Sequence, residues 1–203
     1  NVAWPTIAKV NTTAFQPGDS ILFEGGATFS GAIEFDANVK GTPENHIYIG
    51  SFGVGRATIS SGNASGLYVY NSAGFKVQNL IFKGSGRETN KGCGVDFYMD
   101  LPNTRLAYIA IDNVEAFGYG EVGIIIGSWE GSSGYDDVAI TNCSAHDNGD
   151  KGIATYAFDN KIGHKKVYIA HSKAYNNSGI PDRTNIHSGS GIVMGGVDGR
   201  IIE

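Results

Sequence analysis

Acidic side chains recur along this chain at a fixed interval, and the interval decides what chemistry they can share. Glu130, Asp159 and Asp198 follow one another at spacings of 29 and 39 residues. Two positions after them come Ser132, Lys161 and Arg200, and Trp129 and Phe158 directly precede the first two acids. If each interval is one turn of a stack of β-coils, the three carboxylates sit one above another at about 4.8 Å. Charges of one sign that close repel. A bound cation, a raised pKa, or the adjacent Lys161 and Arg200 must then compensate. Grouped oxygens of this kind suit Ca²⁺, a Lys or Arg beside them can serve as a base, and Trp129 and Phe158 can stack on a ring. The bland alternative is a row of solvated turn acids, since Asp198-Gly199 is ordinary turn chemistry.

A second pair, Glu121 and Asp150, is also 29 apart, flanked by Phe117 and His146 and by Tyr119 and Asn148. Two carboxylates one coil apart match the pair of a retaining glycosidase, whose carboxyls lie about 5–5.5 Å apart. The stretch 145–152, Ala-His-Asp-Asn-Gly-Asp-Lys-Gly, is the densest polar run in the chain. Residues 178–188 carry Asp182, Arg183 and His187 in an irregular insertion that must bulge beside this pair, where a substrate clamp is expected. Asp136 and Asp137 align with Lys165 and Lys166, which reads as structural charge pairing between neighbouring strands.

The elements that would hold these residues are legible as a repeat. Ile-Asp-Asn-Val at 111–114, Ile-Thr-Asn-Cys at 140–143 and Ile-Ala-His-Ser at 169–172 start 29 residues apart. The glycines of Gly94-Val95, Gly123-Ile124, Gly152-Ile153 and Gly191-Ile192 are spaced 29, 29 and 39. Such a period marks a solenoid whose units bury a shared core by stacking. Alternation turns Val95, Ile124, Ile153 and Ile192 inward, together with Phe97, Ile126, Thr155 and Met194. Asn79, Asn113 and Asn142, with His171 on the next rung, are expected to form an inward ladder hydrogen-bonded along the axis.

Composition agrees. A chain of 203 residues with 30 Gly and 5 Pro suits one domain with many tight turns. The net charge of −5 argues against nucleic acid as a partner. No apolar run approaches a membrane span, and the chain starts without a secretory leader. Cys93 and Cys143 fall at different positions of the repeat, so a stacked disulfide is not expected. Trp4 to Val10 reads as a turn of helix that plugs the open end of the solenoid, with Trp4, Ile7, Ala8 and Val10 packing one way.

The segment Pro17-Gly18-Asp19-Ser20-Ile21-Leu22-Phe23, then a glycine turn and Thr28-Phe29-Ser30-Gly31, resembles the first coil of the pectin-lyase-like right-handed parallel β-helix superfamily. The later Gly-Ile and Asn-bearing lines resemble the repeat of the same group, so the likeness covers nearly the whole chain. It implies an all-β, right-handed parallel β-helix, a secreted or extracellular protein, and a polysaccharide partner. The implied activity is a polysaccharide lyase on a uronate-containing glycan, in which Ca²⁺ on Glu130, Asp159 and Asp198 neutralises the sugar carboxylate and Lys161 or Arg200 removes the C5 proton. The alternative is a non-catalytic glycan-binding, adhesin or filament protein, and the second alternative is a glycoside hydrolase using the Glu121 and Asp150 pair. Trp129, Phe158, His146, Arg183 and His187 are the expected substrate contacts. The Asn-Thr-Asp and Gly-His-Gly lines of polygalacturonases and the Asp-Pro-His of epimerases are absent. The chain stops at Ile201-Ile202-Glu203 inside an expected strand, which would leave a β-helix end open to self-association or to further coils.

Overall fold

A computed structural model describes residues 4, 6–159, 163–181, 183 and 188–202, the last four as backbone only. Its single helix among those residues, α1 (Ile7–Asn11), buries Ile7 and Val10 against the first coil, while Trp4 and Ala8 are exposed instead of packing with them. The Asn11 amide locks this cap in place. Its Nδ2 donates to the Ala32 carbonyl at 2.9 Å, and its Oδ1 accepts from the Glu34 N–H at 3.1 Å.

Six coils follow, each contributing three strands. They are β1 (Ser20–Glu24), β2 (Thr28–Ser30) and β3 (Ile33–Phe35); then β4 (Ile47–Phe52), β5 (Ala57–Gly62) and β6 (Leu67–Tyr70). The third coil is β7 (Phe75–Gln78), β8 (Leu80–Gly84) and β9 (Val95–Met99), and the fourth β10 (Arg105–Asp112), β11 (Glu115–Phe117) and β12 (Ile124–Ser128). The fifth is β13 (Gly134–Thr141), β14 (Ser144–His146) and β15 (Lys151–Ala157). The sixth is β16 (His164–Ala170), β17 (Lys173–Tyr175) and β18 (Ser190–Met194), and β19 (Val197–Ile202) opens a seventh. Every strand pairs in parallel with its counterparts on adjacent coils, giving sheets of seven, six and six strands. The architecture is a right-handed parallel β-helix.

Strand alternation explains the core. Val95, Ile124 and Ile153 stack in register, as do Phe97, Ile126 and Thr155, and all six point into the shaft. The glycine that precedes each of the first three marks a close approach. A Cβ on Gly123 would lie 2.7 Å from the Gly152 carbonyl oxygen and 2.9 Å from the Ala145 methyl. Both cysteines are buried free thiols.

The expected asparagine ladder exists, but with its side reversed. Asn79, Asn113, Asn142 and His171 all adopt left-handed backbone, with φ of 51–57°, at the one- or two-residue corners between the first and second sheets. That conformation favours Asn, and it turns these side chains out of the shaft; Asn113, Asn142 and His171 are exposed. Asn113 Nδ2 still donates to Asn79 Oδ1 at 2.8 Å, so the stacking runs along the outside. The inward ladder lies at the next corner, where Asn90, Tyr119, Asn148 and Asn177 recur every 29 residues. Asn148 Oδ1 accepts from the Tyr119 N–H, and Asn177 Oδ1 accepts from the Asn148 N–H, each at 3.1 Å.

Asp136 lies opposite Lys165 in register, as expected, but its ion pair is with Arg105 at 3.5 Å. Asp137 and Lys166 occupy left-handed bulges beside it. No described helix is long and apolar enough to cross a membrane.

Candidate functional site

The outer face of the third sheet gathers the residues best suited to hold and act on a ligand. Outward positions along it carry Tyr68 and Tyr70 on β6, Asp96 and Tyr98 on β9, Ile125 and Gly127 on β12, and Ala154 and Tyr156 on β15. Gly127 interrupts the aromatic row, and Trp129 repairs it. A Cβ at Gly127 would meet the indole Nε1 at 2.9 Å, so the ring can lie over that bare backbone. The Trp129 N–H donates to the Met99 carbonyl at 2.8 Å and fixes the fold-back. The result is a continuous column: Tyr70 to Tyr98 at 6.0 Å, Tyr98 to Trp129 at 5.6 Å and Trp129 to Tyr156 at 4.3 Å, all near-parallel. Tyr68 stacks on the side of Tyr70 and packs at a tilt against Tyr98. Asp100 accepts the Tyr70 hydroxyl proton at 2.9 Å and so sets that ring. Burial, then the nearby Asp96 charge, pushes the Tyr68 phenol up to about 12 and keeps it a neutral donor.

Asp96 stands in register between Tyr68 and Ile125, on the flank of this column. Burial raises its carboxyl to about 7, against a smaller opposite effect of a hydrogen bond from the Cys93 thiol. Cys93, Val122, Ile125 and Ala154, with Trp129 against them, form a second apolar cluster outside the shaft, and it is this dry floor that desolvates Asp96. Cys93 itself is pushed up by burial and by the neighbouring Asp96, Glu121 and Asp150 charges, so it is a thiol and not a nucleophile.

Glu121 and Asp150 stack on consecutive coils as the spacing implies, the Asp150 N–H donating to the Glu121 carbonyl at 3.0 Å. Asp150 is not a solvated turn acid: it is 5% exposed. Its Oδ2 is held by Lys151 Nζ at 2.7 Å and by Arg183 at 3.5 Å, and its Oδ1 has no partner among the described residues. Arg183 reaches in from the insertion and also binds Glu121, whose hydrogen bond raises the already basic guanidinium further. Arg183, expected as a substrate clamp, closes here on two carboxylates of the protein itself. His187 and Asp182 lie outside the described residues.

The remaining expectations divide. Asp198 leaves the proposed metal column. Only two residues separate β18 from β19, against six between β15 and β16, so the 39-residue offset fails past Met194. Asp198 then pairs with Lys165 in the first sheet, and Arg200 pairs with Tyr168 there instead of continuing a column from Ser132. Glu130 and Asp159 lie two residues past the ends of neighbouring strands of the third sheet, Glu130 exposed and Asp159 partly buried; Lys161 lies outside the described residues. Among the described residues no three His, Cys, Asp or Glu side chains converge as metal ligands. Phe158 is exposed just beyond the aromatic column, its N–H bonded to the Ser128 carbonyl. His146 faces out from the second sheet. It is stacked between Phe117 at 5.2 Å and Tyr175 at 4.7 Å and hydrogen-bonded to Glu115 and Asp147, which makes it a structural brace.

Asp96, Tyr68, Tyr98 and Tyr156 escaped the sequence reading. Their signal was present: Tyr98, Gly127 and Tyr156 repeat at 29, and Asp96 is outward by the same alternation that puts Val95 inside.

No protein-family model and no curated protein matches the chain. Solved structures do. The native GH136 lacto-N-biosidase of Eubacterium ramulus aligns with a TM-score of 0.62 at 18% identity, over 82% of this chain and 37% of that one. Its selenomethionine derivative aligns at 0.61 and 13% identity, over 97% and 48%. The chain thus spans less than half the length of these neighbours, and identity this low establishes the fold alone. The mannuronan C-5 epimerase A-module of Azotobacter vinelandii aligns at a TM-score of only 0.33 with 13% identity, over 91% of this chain and 68% of that one.

Proposed function

We propose that the outer face of the third sheet binds a glycan along the helix axis and cleaves its glycosidic bonds by hydrolysis. One observation carries the reading: a column of Tyr70, Tyr98, Trp129 and Tyr156 flanked by Asp96, a carboxyl that burial holds protonated near neutrality. The rings stack on one another, so the column offers a sugar their apolar edges, and it advances one coil, about 4.8 Å, per ring. The fold neighbours named as lacto-N-biosidase, an enzyme acting on a glycan, support the same class.

In this reading Asp96 donates its proton to the glycosidic oxygen as the C1–O bond breaks and the bonding electrons leave with that oxygen. Water adds to C1 and gives up a proton to a carboxylate. Glu121, one coil further and oriented by Arg183, is the candidate acceptor. Asp150, gripped by Lys151 and Arg183, positions that arginine. The sugar is neutral. Outward positions of β6, β9 and β12 carry no Lys or Arg, and the two cations at the Glu121–Asp150 corner are already paired. A uronate would meet uncompensated acid. A glycan substrate also fits an extracellular site of action.

The competing Ca²⁺-dependent lyase needs Lys161 or Arg200 as base and a uronate substrate. Both readings are tested by incubating the protein with neutral oligosaccharides and with alginate, pectate and chondroitin, in Ca²⁺ and in chelator. Hydrolysis predicts reducing ends from a neutral glycan, unaffected by chelator and reduced about 10²–10⁴-fold in Asp96→Asn. Absorbance of unsaturated uronate that requires Ca²⁺ would replace it with the lyase. Binding without either product would leave a non-catalytic glycan-binding protein.

A further inference from the structure

Where the aromatic column reaches the first coil it stops. The residues in register with Tyr68 and Tyr70 on β3 and just past it are Glu34 and Asp36, both exposed acids instead of rings. Over them stands the N-terminal cap. The segment following α1 and the outward edge of β3 border an open cleft of about 470 Å³ lined by Thr13, Ala14, Phe15, Glu34, Asp36 and Tyr68. Its size falls within the range of small-ligand pockets, roughly 300–1,000 Å³.

The wall is built to stay. Asn11 pins the end of α1 to the backbone on both sides of Ile33. Phe15 is buried edge-on against Phe35 at 5.9 Å and is covered from outside by Trp4 at 6.1 Å. Tyr68 is shared: it lines the cleft and also packs against Tyr98, so cleft and column are one continuous surface. The chemistry changes along that surface in a consistent direction. A row of apolar ring edges gives way to hydroxyls and carboxylates that can accept from and donate to a polyol. No Lys or Arg lines the cleft.

We infer that this cleft is a terminal subsite that takes the neutral end of a glycan chain, so that the protein acts on chain ends and not at random along a polymer. The inference rests on the glycan reading above and deepens it. Glu34, Tyr68 and Asp96 lie on three successive coils, which leaves room between the N-terminal cap and the proton donor for only a short terminal piece. The enzyme therefore releases fragments of one small, fixed size. Adjacent vicinal hydroxyls on the terminal sugar are bound by the Glu34 and Asp36 carboxylates. A charged or bulky terminal group is rejected.

The test uses the whole chain and a set of neutral oligosaccharides of two to six sugars, each prepared free and with either terminal sugar blocked by a bulky aryl ether. Binding is followed by calorimetry and products by chromatography. The expected result is that blocking one particular end weakens binding at least tenfold. Glu34→Gln, Asp36→Asn and the cleft-filling Ala14→Trp should do the same without lowering the melting temperature, and any cleavage should yield a single short product. The subsite is overturned if both blocked forms bind as well as the free one, or if the three cleft variants bind as the native protein does. In that case loss of binding in Tyr98→Ala would leave the glycan face itself standing. If Tyr98→Ala and Tyr156→Ala also bind unchanged, or if no oligosaccharide binds the native protein, the glycan reading and the terminal subsite fall together.

Discussion

Asp96 and His164 pull the pH dependence of stability in opposite directions, and each can be read separately. The Asp96 carboxyl is raised from 3.8 to about 7, so the folded state holds a proton there that the unfolded chain has released. Its penalty is absent below pH 4, grows as the pH rises, and is complete above pH 7. Asp96→Asn should therefore leave the melting temperature unchanged at acid pH and raise stability at pH 8 by roughly 2–4 kcal/mol, read by thermal denaturation. His164 is the reverse case. It is buried as a neutral ring, its Nδ1 accepting from the Tyr135 N–H and its Nε2 bonded to the Tyr156 carbonyl, and burial lowers its pKa below 6.5. Its contribution is full above pH 6.5 and is lost as the pH falls below that value. Once Asp96→Asn has removed the opposing effect, the melting temperature should climb between pH 5 and pH 7.5. A flat profile in that variant would show that His164 is protonated without cost.

At the scale of elements, the coil corners decide what the sequence reveals. Gly123→Ala would drive a methyl toward the Gly152 carbonyl and the Ala145 side chain. Strands on both sides are fixed by the ladder, so overpacking should cost about 1–3 kcal/mol in denaturant melts. Corners with a required backbone shape were legible: the recurring glycines and the Asn113 and Asn142 positions gave the period and the fold. Which way those asparagines point was not legible, because left-handed φ is a backbone property that the residue type permits without announcing. Strand alternation was legible too, and it placed Val95, Ile124 and Ile153 correctly. The candidate site was only half legible. Glu121 and Asp150 could be paired from spacing alone, and the structure stacks them on consecutive coils. Asp198 was misplaced because an offset survives only while connections keep their length, and the turn before β19 is short. The aromatic column was hidden because Trp129 fills the rung of Gly127 from two residues away, a substitution in space that no alignment of repeats displays.

Across the whole molecule, every described strand joins its neighbours along one axis, and the coils are linked by parallel ladders without any disulfide. A chain wound this way is held like thread on a spool. Pulled from its two ends, it should not rupture in a single event. Each coil can leave only after the one above it has gone, because the strands beneath remain fully paired while the outermost are stripped. Force spectroscopy should show a sawtooth whose steps from the fourth coil onward each release one 29-residue unit, about 100 Å of extended chain. The step that contains the insertion should be longer, and the cap end, bolted down by Asn11 and Phe15, should yield last.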